Sequence, residues 1–198
     1  MKRLLPHLAV ALLLTGFGSA ALAQRTIGKN PGDIKGRWLR IYDDAALSGA
    51  KSVYLGDIEA DIQWKKAKNE NPFDEDLLVE KTQKEFSRRL RESGALGNFL
   101  DSSSGAGAGT IRLETSIEVD PGSRLARYAV GVGAGKSRSV MEIKLVDHAS
   151  GKEIALFHGY GTGSGMGFKL AGGGARKMTE DDIEEFAKKL VELIDEAN

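Results

Sequence analysis

The chain has 198 residues, with 28 basic and 28 acidic side chains, a pI near 6.9, 41% hydrophobic residues, 25 glycines and no cysteine. That length suits one domain of ordinary size, and a formal charge of zero gives no support for a general nucleic-acid or anionic-membrane binder. Without cysteine there can be no disulfide, thiolate metal site, cysteine nucleophile or amino-terminal lipid-bearing cysteine.

Residues 1–23 read as a secretory signal. Lys2 and Arg3 give a positive start, an apolar run follows through Phe17, and Ala21 and Ala23 make an A-x-A arrangement before Gln24. The run is shorter than the ~20 apolar residues that span a bilayer. The expected location is therefore the periplasm or the cell exterior, after cleavage behind Ala23 and with no transmembrane span in the mature chain. Residues 24–50, broken by Gly28, Pro31, Gly32 and Gly36, read as an extension in which Trp38, Leu39, Ile41 and Tyr42 could form a short strand. Residues 51–198 read as the α+β domain.

Lys51 to Ile58 (KSVYLGDI) is rich in β-branched and aromatic residues and predicts a strand. Leu77, Leu78, Val79, Phe86 and Leu90 recur at helical spacing, with Asn71-Pro72 as the start signal and Gly94 as the stop. Ser102 to Gly109 (SSSGAGAG) has the composition of a flexible loop. Thr110 to Val119 alternates apolar and charged residues as a half-buried strand does, and Asp120-Pro121-Gly122-Ser123 ends it with turn chemistry. Ser139 to Asp147 and Glu153 to Tyr160 predict a hairpin about a turn at His148–Lys152. Thr179 to Ala197 predicts a helix, with Thr179 and Asp182 as a capping box and an apolar stripe through Phe186, Leu190 and Ile194. This order suggests a two-layer α+β sandwich: a four- to five-stranded mixed sheet with helices packed on one face.

Glycine is the unusual feature, since sixteen of the 25 lie between Gly105 and Gly174. Gly131, Gly133 and Gly135, and then Gly159, Gly161, Gly163, Gly165 and Gly167, recur at intervals of two. In an extended chain each set falls on one face, where a backbone, a helix or a flat ligand could approach closely. A pair of mobile loops is the competing account. On the first account Gly131, Gly133, Gly135, Tyr160, Gly161, Gly163, Gly165, Met166 and Phe168 are the candidate ligand or partner contacts.

Familiar catalytic motifs fail on spacing. GVGAGKS at Gly131 to Ser137 lacks the glycine that a phosphate-binding loop needs at Val130, and a strand rather than a helix follows it. No G-x-G-x-x-G or G-x-S-x-G occurs in register. His148 and His158 could meet across the hairpin, but a zinc site needs further ligands, so they read as turn and edge residues. Asp74, Glu75 and Asp76, like Glu180, Asp181 and Asp182, are explained by helix starts. Asp57, Glu59 and Asp61 alternate after the first strand and read as a solvated strand end, with cation binding as the competing use. Arg124, Arg127, Lys136 and Arg138 form a basic group suited to lipid headgroups, an acidic partner or salt bridges at the sheet edge. No cofactor, metal or catalytic residue is expected.

RYAVGVGAGKSRSVMEIKLVD at Arg127 to Asp147, followed by SGKEI at Ser150 to Ile154, resembles the bacterial exported family catalogued as domain of unknown function 4410. Val53 to Ile58 (VYLGDI) sits where that family's domain begins, and the resemblance covers about Lys51 to Ala197. It implies location and fold and carries no established activity. Many members resemble lipoproteins, and this chain departs from them in lacking the lipid-bearing cysteine. The expected function is that of a non-enzymatic envelope protein interacting through a glycine-rich sheet edge. The runner-up is a periplasmic binding module for a small or lipidic ligand, held by Tyr160, Met166 and Phe168. A hydrolase using carboxylates such as Asp57 and Asp61 comes third.

Overall fold

A computed structural model describes residues 24–63, 75–120, 138–162 and 175–198. Among the described residues, seven strands form one mixed sheet in the order β1-β2-β7-β6-β5-β3-β4. They are β1 (Arg25–Lys29), β2 (Arg37–Ile41), β3 (Ser52–Ile62), β4 (Asn98–Phe99), β5 (Thr110–Asp120), β6 (Arg138–Asp147) and β7 (Glu153–Thr162). The helices are α1 (Asp44–Ser48), α2 (Glu75–Ser93) and α3 (Ala175–Ala197). Strand β3 runs parallel to both β4 and β5, and the other neighbours are antiparallel. The four to five strands expected are thus seven. The shortfall lies in β1 and β4, whose five and two residues carry no apolar alternation of their own, and in β2, read only as a strand that could form. Residues 24–50 supply β1, β2 and α1, and β2 pairs with β7 inside the sheet.

Alternation decides the faces. Ile111, Leu113, Ile117 and Val119 of β5 are buried with Met141, Ile143 and Leu145 of β6 and with Leu39 and Ile41 of β2. Over them lie Leu78, Phe86 and Leu90 of α2 and Ile183, Phe186, Leu190, Leu193 and Ile194 of α3. Helical spacing on one layer and two-residue spacing on the other put these apolar groups into one seam. Helix α2 ends at Ser93, and Gly94 follows with φ +65, the left-handed stop that glycine takes without a Cβ clash.

Two expectations change. Helix α3 begins at Ala175, so Thr179 lies a full turn inside it, fully buried, rather than at its start. Arg176, Lys177 and Met178 are good helix formers, and nothing in the sequence after Gly174 stops the helix there. Strand β3 continues past Ile58 to Ile62, because Glu59-Ala60-Asp61-Ile62 keeps the two-residue alternation against β5. The Ser102–Gly109 stretch is shaped by local bonds: the Ser102 hydroxyl accepts from Ser104 N–H, Ser103–Gly105 makes one 3₁₀ turn, and Thr110 Oγ1 accepts from Gly107 N–H at 2.9 Å.

Candidate functional site

Of the candidate contacts, Gly131, Gly133, Gly135, Gly163, Gly165, Met166 and Phe168 lie outside the described residues. Tyr160 and Gly161 lie near the end of β7, opposite Val140 and Ser139 of β6, while β2 pairs with Ala155–His158 of the same strand. Gly159, Tyr160 and Gly161 thus lie past the last pair with β2 and are paired on the β6 side. The glycine face here is occupied from within. A Cβ on Gly159 would stand 2.8 Å from Phe186 Cδ1, and one on Gly161 would collide with the Asp182 carboxylate. The two glycines let α3 settle onto the strand. The period-two signal was real for these positions, but its occupant is the chain's own last helix.

Arg37 ties this end of the sheet together. Its Nε donates to the Tyr160 carbonyl at 3.2 Å, its guanidinium lies 5.5 Å from the Phe186 ring centroid, and Nη1 is 3.6 Å from Glu185. Asp182 accepts from Ser139 Oγ at 3.0 Å. Burial pushes the Asp182 carboxyl above its ordinary range, opposed by the Ser139 hydrogen bond and the Arg37 charge.

The two histidines are not brought together. His148 Nδ1 shares a 2.9 Å hydrogen bond with Tyr54 Oη. His158 stacks on Trp38 with centroids 5.0 Å apart, and its Nε2 donates to the Ile34 carbonyl at 2.9 Å. Its Nδ1 faces Glu142 at 3.5 Å. Trp38 Nε1 donates to the Asp33 carbonyl at 3.0 Å, so the β1–β2 loop is pinned over this end of the sheet's second face. Among the described residues no three His, Asp or Glu side chains are grouped to hold a metal ion.

The rest of that second face is open and acidic. Cross-strand pairing sets Glu59, Ser116, Glu142, His158 and Trp38 in one row. Asp57, Glu59, Glu114, Thr115, Ser116, Glu142 and Lys144 line a shallow trough of about 460 Å³. Arg112 is paired with Glu114, and Glu118 with Gln63. A bulge between Leu55 and Ile58 turns both Gly56 and Asp57 to this face, since a Cβ on Gly56 would meet the Arg112 stem at 2.9 Å.

Strand β3 also has a free side. Beyond Ser52 and Val53, which pair with β4, no described residue pairs with residues 55–62 on the side away from β5. The Val53 carbonyl accepts from Leu100 N–H on the β4 side, whereas Gln63 N–H donates to Val119 on the β5 side at 2.9 Å. Alternation back from Gln63 points the N–H and C=O groups of Ile62, Ala60 and Ile58 outward, with no strand to meet them among the described residues. The acidic alternation Asp57-Glu59-Asp61 was legible in the sequence. Its position on a free edge was not, because that depends on β4 being only two residues long.

The family model described as Domain of unknown function (DUF4410) matches residues 44–167, which hold β3 through β7. The chain belongs to the DUF4410 family. No curated protein matches it. Solved structures similar to it include a PelC dodecamer from Paraburkholderia phytofirmans, at 14% identity and TM-score 0.42, covering 76% of this chain and 96% of that one. A single-substitution variant of the same PelC dodecamer aligns at 18% identity and TM-score 0.40, covering 77% and 95%. No described helix of this DUF4410 protein is long and apolar enough to cross a membrane.

Proposed function

We propose that this DUF4410 protein is an exported, non-enzymatic protein of the bacterial envelope that binds another protein by strand addition at the free edge of β3. Export rests on the signal-like first 23 residues, with their A-x-A site before Gln24. The observation that carries the interaction reading is the outward backbone groups of Ile58 and Ala60, half-buried and unpaired among the described residues, before the strand ends at the buried Ile62. An exposed strand edge is a template for one more strand, and main-chain hydrogen bonds then supply the affinity. The β3 edge is preferred to the glycine-rich segment as the contact, since the described glycines Gly159 and Gly161 face Phe186 and Asp182 of the same chain.

Ala60→Pro tests this reading. Proline removes one outward N–H and leaves the ladder to β5 intact, which edge positions tolerate. The expected result is a nearly unchanged denaturation midpoint with loss of the partner that the wild-type chain recovers from envelope extract. In the wild-type complex, the amides of Ile58, Ala60 and Ile62 should gain protection from hydrogen exchange. Equal recovery by Ala60→Pro, with those amides unprotected in the complex, overturns it.

A further inference from the structure

The β3 edge carries a charge pattern as well as a backbone, and the two together select a partner. We infer, resting on the strand-addition reading, that the edge accepts an extended segment with basic side chains at every second position and apolar ones between them. Asp57, Glu59 and Asp61 are exposed and project from the open face, on the same face as Glu114 and Glu118 of β5. On the helix side of the same edge stand Ile58 and Ala60, half-buried. An added strand places residues directly opposite these, with Cβ atoms roughly 4.5–5.5 Å away. Its open-face positions meet three carboxylates, and its helix-side positions meet apolar groups.

A second copy of this chain does not satisfy that pattern. Two β3 edges paired with each other would set acidic side chains against acidic side chains, which is repulsive. The other free edge, β1, does carry Arg25 and Lys29, but they share a face with Ile27, which pairs with the core residue Leu39. In a sheet continued from one copy to the next, Arg25 and Lys29 would therefore fall on the helix side, away from the carboxylates. Arg25 is in any case engaged with Asp44 and the Ala197 carbonyl. Carboxylates along an edge exclude strands of the wrong charge. Here they reject self-pairing and leave a different, basic strand as the fitting occupant.

The experiment titrates the full-length chain with three short synthetic peptides that alternate valine with lysine, threonine or glutamate, and follows backbone amide protection. The lysine peptide should protect Ile58, Ala60 and Ile62 and bind roughly tenfold or more tightly than the threonine peptide, as three favourable cross-strand pairs allow. Its advantage should shrink with added salt and vanish in the triple variant Asp57→Asn, Glu59→Gln, Asp61→Asn. Equal binding of lysine and threonine peptides at those amides overturns the charge selection while leaving strand addition standing. Undiminished binding of the lysine peptide to Ala60→Pro shows simple charge adhesion and overturns the inference as well. If no peptide protects the edge, yet Ala60→Pro still loses the extract partner, the basic pattern is wrong and the edge reading survives.

Discussion

The two faces of the sheet are built by the same strands and solve opposite problems. On the helix face, β5, β6 and β7 offer Leu113, Ile143 and Phe157, all fully buried, and two glycines where a ring and a carboxylate must come close. On the other face the same strands offer Glu114, Glu118, Glu142 and Lys144, and among the described residues a pinned loop covers the β2 end. Changes on the first face should therefore cost folding, and changes on the second should cost binding. An open acidic face is maintained by solvation, whereas a glycine-lined helix face is maintained by contact.

The helix face is most vulnerable at Phe186, which is fully buried against Gly159. Phe186→Ala should cost about 3–5 kcal/mol, the range for large aromatic truncations in a core. Against a total stability of roughly 5–15 kcal/mol that is severe, and chemical denaturation measures it. Gly159→Ala should come next. Its new Cβ would lie 2.8 Å from the Phe186 ring, and overpacking of this kind costs about 1–3 kcal/mol. Adding Phe186→Leu to Gly159→Ala should recover part of the loss attributable to that contact, and the double-mutant cycle gives the coupling.

The smallest expected effect is one of pH. Burial raises the Asp182 carboxyl above its ordinary 3.8 in the folded chain, so the folded state binds this proton more readily than the unfolded state does. Its contribution to stability is full below 3.8 and is lost as pH rises through the raised folded value. Asp43 behaves in the opposite sense, held below its ordinary range by the Lys152 hydrogen bond and the Ala46 N–H. Its contribution is lost as pH falls below 3.8. Asp182→Asn should therefore gain stability relative to wild type as pH rises above 3.8, and denaturation midpoints across that range give the sign. A flat difference between the two proteins would place Asp182 in water rather than beneath the sheet end.

Much of this arrangement was written in the order of residues. The alternation in β5 and β6, the turn at His148–Lys152 with its positive-φ Gly151, and the α3 stripe are local patterns whose periods match their elements. Membership in the DUF4410 family was legible too, through the segment that resembles it and the VYLGDI strand. The capping box at Thr179 misled because a good local cap signal does not stop a helix whose preceding residues are themselves helix formers. The candidate contacts fared differently. Glycine alternation announces a close approach but does not say whose, and for Gly159 and Gly161 the answer was Phe186 and Asp182 of the same chain.

The sequence alone determined which residues alternate, where turns and the Gly94 stop fall, and that no cysteine chemistry is available. These are properties of neighbours along the chain. Tertiary structure decided that β7 is interior and that β4 covers only Ser52 and Val53 of β3. It also decided that three alternating carboxylates stand along a free backbone edge. Strand order and strand-end overlap arise from pairing between distant segments. No local period encodes them, so an acidic strand end and a docking edge read alike until the sheet is assembled.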